Sequence, residues 1–232
     1  MRKLDLLILC NFLAFHGIIG QHAGSLEKSV QFGGYTGLEF QNIAVSPLNQ
    51  PSGNNASVEF ELRAPGMSMG AWYRRKMIQG IAFQAELGFF HTRNTAILRS
   101  DNREQRLTYT FSDIELPLHF IFYNQIGKFP LRSVLSFGGR VGVNTINHLQ
   151  TQGISLYRAR WALDVGLGLA FSVGNLQLQP ELVYSYCMNN IHDLGTAPYD
   201  WYAGRVVRDR LGLRVLVWRA RKATNPPPFR PG

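Results

Sequence analysis

The sequence predicts an all-β chain, an eight-stranded antiparallel transmembrane β-barrel with both termini on the periplasmic side. Three observations predict it. Between Trp161 and Phe171 the residues alternate: Trp161, Leu163, Val165, Leu167, Leu169 and Phe171 are apolar, and Ala162, Asp164, Gly166, Gly168, Ala170 and Ser172 are small or polar. Period two marks a strand whose faces meet different surroundings. The apolar row is aromatic at both ends and aliphatic between, and about 9–11 residues suit a tilted strand crossing hydrocarbon. Second, seven other segments alternate in the same way. Third, the connections alternate short and long, as short periplasmic turns and longer external loops do in an outer-membrane barrel. A soluble sandwich would also alternate, but it has no reason to alternate loop lengths or to flank its apolar rows with aromatics.

Each strand can be justified in order. The first, Val30 to Phe40, sets Val30, Phe32, Leu38 and Phe40 against Gln31, Tyr35, Glu39 and Gln41. The second, Gly66 to Arg74, sets Met67, Met69, Ala71 and Tyr73 against Ser68, Trp72 and Arg74. The third sets Ile81, Phe83, Ala85, Leu87 and Phe89 against Gln84, Glu86 and Gly88. The fourth opens with Leu107, Tyr109 and Phe111 and continues with Ile114, Leu116, Leu118, Phe120 and Phe122. Its apolar parity changes across Ser112-Asp113, which predicts a β-bulge there. The fifth sets Leu131, Leu135, Phe137, Val141 and Val143 against Arg132, Ser136, Arg140 and Asn144. The sixth is the ladder from Trp161 to Phe171. The seventh sets Leu176, Leu178, Leu182, Tyr184 and Tyr186 against Gln177, Gln179, Glu181, Ser185 and Cys187, and the eighth sets Leu211, Leu213, Val215 and Val217 against Arg210, Gly212 and Arg214. Turns of a few residues are expected after the second, fourth and sixth strands, and loops of about 10–25 residues after the others.

Around this barrel, residues 1–20 read as a signal peptide: Arg2 and Lys3, an apolar run from Leu4 to Ile19, then Gly20, with Gly24 as the fallback cleavage position. The barrel is expected over 21–218 and a basic, Pro-rich periplasmic tail over 219–232. Cys10 falls in the signal peptide, leaving Cys187 without an intrachain disulfide partner. The net charge of +9 is not concentrated on one face. Four excess charges lie in the tail and one in the signal peptide, and the rest are dispersed, which argues against nucleic-acid binding.

The polar face points into the lumen, and carries Glu39, Glu86, Glu115, Asp164 and Glu181 against Arg74, Arg132, Arg140, Arg210 and Arg214, with His119 beside them. Eight strands enclose only enough space for their own side chains. Buried charges are tolerated when paired and hydrogen-bonded, so these ten read as an internal salt-bridge network in place of an apolar core. The alternative is a narrow ion path through the same residues. His119, Ser136 and Ser185 could be assembled into a nucleophile and base, but the strand reading places His119 near the periplasmic end and Ser185 near the external end. Neither GxSxG, HExxH nor CxxC is present. No enzyme activity and no cofactor or metal are expected. Pro117 and Pro180 stand mid-strand, where each removes a ladder donor, and predict local bulges or weak points in the wall.

Four places carry a family resemblance: Phe32-Gly33-Gly34-Tyr35-Thr36-Gly37-Leu38, Asp113-Ile114-Glu115-Leu116-Pro117-Leu118, Asp164-Val165-Gly166-Leu167-Gly168-Leu169, and Gln179-Pro180-Glu181-Leu182-Val183-Tyr184-Ser185-Tyr186 with Asn189-Asn190. They resemble the PorT-type outer-membrane barrel family, whose named member belongs to the type IX secretion and gliding machinery. The resemblance implies a bacterial outer-membrane location and a non-enzymatic role in, or accessory to, type IX protein secretion. The expected partners are outer-membrane lipid and envelope or secretion-complex proteins. A stand-alone envelope barrel binding surface ligands through its external loops is the alternative.

Overall fold

The computed structural model describes residues 30–47, 57–61, 65–100, 103–126, 131–145, 156, 158–192 and 203–219. The expected signal peptide, and the tail beyond Arg219, lie outside them. The strands are β1 (Val30–Pro47), β2 (Ser57–Glu61), β3 (Gly66–Ile78), β4 (Ile81–Ser100), β5 (Arg103–Gln125), β6 (Leu131–Asn144), β7 (Ala159–Val173), β8 (Leu176–Cys187) and β9 (Ala203–Arg219). All pairings are antiparallel, and β1, β3, β4, β5, β6, β7, β8 and β9 close into a ring of eight. β2 pairs with the far end of β4, from Ser57↔Arg99 to Glu61↔Thr95, and so lengthens the stave that β3 begins.

Alternation sets the two faces of the wall. Outward residues stay exposed although they are apolar: Phe32 is 69% exposed, Leu87 61% and Leu213 57%. An apolar exterior of this extent on a folded domain needs hydrocarbon around it. Inward residues are buried, including Trp72, Gln84, His119 and Glu181. The opening strand keeps glycine where a ring must lie flat on the wall. The Trp72 indole covers Gly33, where a Cβ would collide with it, and its Nε1 donates to the Gly34 carbonyl at 3.1 Å. The short connections, Gln79-Gly80, the one between Gln125 and Leu131, and Gly174-Asn175, all lie at the end where β1 starts and β9 finishes. By the rule for these barrels, that end is periplasmic.

Three expectations change here. No bulge occurs at Ser112-Asp113: the β4–β5 register runs unbroken through His91↔Ser112, Phe90↔Asp113 and Phe89↔Ile114. Leu107, Tyr109 and Phe111 instead lie on the inward face, because the interior of the external end is itself apolar. The long loop expected between the third and fourth strands is mostly strand, since β4 runs to Ser100 and β5 begins at Arg103, leaving a two-residue link. Its sequence hides this because Thr95, Ala96, Ile97 and Leu98 are all buried and do not alternate. Finally, of the two expectations for the mid-strand prolines, the bulge does not occur, and each proline is instead a local gap in the ladder. At Pro117 the β4–β5 ladder skips between Ala85↔Leu118 and Gly88↔Glu115 and resumes in the same register. At Pro180 the β7–β8 ladder skips between Phe171↔Leu178 and Gly168↔Glu181. On their other sides Pro117↔Arg140 and Pro180↔Val215 are intact, so each missing N–H interrupts one edge only.

The charged lumen as candidate functional site

The barrel interior is layered. At the external end Ile43, Val58, Ala96, Leu98, Tyr109, Phe111, Leu156, Cys187, Ile191, Ala203 and Val206 form an apolar cluster. At the periplasmic end Tyr35, Trp72, Ala82, Ile121, Val134, Ala170, Leu216 and Trp218 form a second, in which Trp72 and Trp218 meet edge to face at 5.3 Å. Between them lies the charge.

Six acids and six arginines are buried there: Glu39, Glu86, Asp113, Glu115, Asp164 and Glu181, with Arg74, Arg140, Arg160, Arg208, Arg210 and Arg214. Arg140 on β6 donates to Glu115 and to Asp164, both at 2.8 Å. Arg210 on β9 reaches Glu115 at 2.7 Å, Asp113 at 2.5 Å and Glu39 at 3.4 Å. Arg214 joins Glu86 at 2.8 Å to Glu181 at 3.2 Å, and Arg208 pairs with Asp113. Arg160 donates to Ser185 Oγ and to the Arg208 carbonyl, each at 3.0 Å. Alternation places all these groups inside, and the stagger of tilted strands brings partners distant in sequence to one level. Such pairs roughly balance their desolvation, but removing one partner strands the other charge in a dry interior.

Nine of the ten residues predicted for this network come together; Arg132 does not. It follows the inward parity, but at the very start of β6, at the periplasmic rim, where it is exposed and makes no ion pair among the described residues. Arg74 sits below the carboxylates. It donates to Gln84 at 2.6 Å and Gln179 at 3.2 Å, between the faces of Trp72, Trp218 and Tyr123, and Gln84 passes the contact on to Glu86 at 2.5 Å. The sequence reading missed Asp113, Arg160 and Arg208. Continuing the β5 parity without a bulge places Asp113 inside, and one more residue of β7 and two of β9 recover the arginines.

His119 and Ser185, expected far apart, meet on one carboxylate. His119 Nε2 lies 3.0 Å from Asp164 Oδ2, and Ser185 Oγ donates to Oδ1 at 2.5 Å. The other ring nitrogen of His119 faces Glu86 at 3.2 Å. The serine proton is therefore directed to the aspartate, not to the histidine, and the histidine is held between two acids. Ser136 bonds Glu181 instead. This connectivity orients an imidazole but does not prepare a serine nucleophile. Among the described residues no group of three or more His, Cys, Asp or Glu is arranged to hold a metal.

An eight-stranded ring with an apolar exterior, an ionic interior and short turns at one end defines an outer-membrane β-barrel, located in the bacterial outer membrane. The chain belongs to the Outer membrane protein beta-barrel domain family, which it matches over residues 20–193. Among solved structures it is similar to Neisserial surface protein A (NspA), at 12% identity and a TM-score of 0.44, with 82% of this chain and 99% of that one covered. It is also similar to outer membrane protein AlkL, solved in lipid bilayers, at 15% identity and a TM-score of 0.46, with 89% and 98% covered. The comparison with curated proteins returned no match.

Proposed function

We propose that this barrel is a non-enzymatic component of, or accessory to, the type IX protein secretion machinery, working through its wall and its external strands. The observation that carries the reading is the filled lumen. Six paired acids and six arginines, closed above and below by apolar layers, leave the bore to structure, so the surfaces are what remain for function. The four segments resembling the PorT-type family point that surface role toward protein secretion. The Ser185–Asp164–His119 connectivity supports a non-enzymatic role. Extraction in mild detergent, followed by identification of co-purifying proteins, tests the proposal: other envelope components of the secretion machinery should accompany the full-length barrel. A second reading, a stand-alone barrel binding surface ligands, is favoured by the projecting β4–β5 hairpin and its charged outer face. Recovery of the barrel alone, together with binding of an external ligand to that hairpin, would replace the first reading with the second.

A further inference from the structure

The charges outside the lumen are unevenly distributed between the two ends. At the external end Glu59, Glu61 and Glu104 are matched by Arg99 and Arg106 in a set of exposed ion pairs. On the periplasmic side of the lumen network the described residues are 30–38, 69–85, 118–126, 131–139, 167–180 and 215–219, and they include no aspartate or glutamate. They do include Arg75, Arg132 and Arg219, all exposed, and Lys76, half-buried. None of the four makes an ion pair among the described residues.

We propose that this collar binds the phosphodiester headgroups of anionic phospholipids in the inner leaflet, with Arg75 and Arg219 as its principal contacts. Both stand on the outward, lipid-facing parity, Arg75 opposite Val30 and Phe83 and Arg219 opposite Leu176. Just toward the membrane from Arg75 lie the outward rings Phe32 and Tyr73, packed at 5.3 Å, and level with it the Phe83–Phe120 pair, at 5.8 Å. Aromatic rings mark the depth of a barrel's membrane interface, so the guanidinium groups fall at headgroup level. The four cations also sit on β3, β6 and β9, which lie two or three staves apart around the closed ring. Lipid headgroups surround a barrel on all sides, and a collar spread round the rim fits them better than a single protein docking at one side. The proposal is independent of the secretion reading.

The test uses the full-length barrel folded in vesicles of phosphatidylcholine with and without phosphatidylglycerol. The temperature at which the folded, fast-migrating band is lost should rise with phosphatidylglycerol, and added salt should shrink the rise. Each arginine is expected to contribute about fivefold in headgroup affinity. The R75Q/R219Q double variant should match wild type in phosphatidylcholine and lose most of the phosphatidylglycerol-dependent rise, while R75K/R219K should retain it. Inorganic phosphate should not substitute for the lipid. An equal rise in wild type and R75Q/R219Q would overturn the proposal. So would an unchanged lipid response accompanied by loss of a co-purifying acidic protein, which would assign the collar to a protein partner.

Discussion

Asp164 concentrates the chemistry of the interior in one side chain: it accepts from Arg140 Nε and Ser185 Oγ and faces His119 Nε2. Replacing it with alanine would leave the buried Arg140 guanidinium without one of its two closest acids. The Asp164→Ala variant should therefore lose about 3–5 kcal/mol of stability, read as a shift of the urea midpoint in vesicles. Combining it with Arg140→Met should cost less than the two single changes together, by about 0.5–3 kcal/mol, because the contact they share is counted in both. Arg132 is the contrast. Exposed at the rim, it should tolerate Arg132→Ala within about 0.5 kcal/mol in the same measurement. From the sequence these two residues look alike, since both sit on the polar parity of alternating strands. Parity fixes which way a side chain points, not how far along the bore it stands, and depth is what separates Asp164 from Arg132.

At the scale of the strands, the alternating rows were readable wherever one face meets lipid and the other meets charge. The ladder from Trp161 to Phe171 is reproduced along β7, with Trp161, Leu163, Val165, Leu167 and Leu169 all exposed to the membrane. Leu167→Arg should cost about 2–4 kcal/mol, seen as reduced heat-modifiable assembly. Assembly equal to wild type would contradict the placement of that face in hydrocarbon. The pattern failed along β4 and β5 beyond the membrane, where both faces pack and alternation disappears. There Tyr109 and Phe111 point inward among Leu98, Ala96 and Ile43. The outer face of this hairpin is tied by exposed ion pairs, and hydrogen bonds from Arg106 and Arg99 hold the Glu104 carboxyl below its ordinary value of 4.5. A lowered carboxyl pKa means that the tie is complete above that ordinary value and is lost as pH falls through the depressed one. Hydrogen exchange of the β4–β5 amides should therefore quicken under acid conditions, and Glu104→Gln should weaken that pH dependence, the Glu59 and Glu61 pairs remaining.

For the molecule as a whole, ring closure and strand number followed from periodicity, since a closed wall in lipid allows few other solutions. The filling of the bore was legible only in kind. Opposite charges on one parity announced a paired interior, but the apolar layers at either end depend on the tilt and stagger of eight strands, which no single segment encodes. Those layers yield a further expectation. Planar-bilayer recordings of the purified barrel should show no large, stable conductance, and reproducible porin-sized steps would mean that the bore is open.

The placement of the arginines also bears on how the barrel is made. The six buried acids lie on β1, β4, β5, β7 and β8, whereas three of the six buried arginines, Arg208, Arg210 and Arg214, lie on β9. A chain synthesised as far as β8 thus carries an interior with twice as many acids as arginines. Neutrality arrives only with the last strand, which also joins β1 along the seam from Gly34↔Val217 to Pro47↔Ala203. Closing the ring and discharging its interior are one event. Without β9 in register, Asp113, Glu86 and Glu181 would lose Arg208, Arg210 and Arg214, the partners that make their burial tolerable.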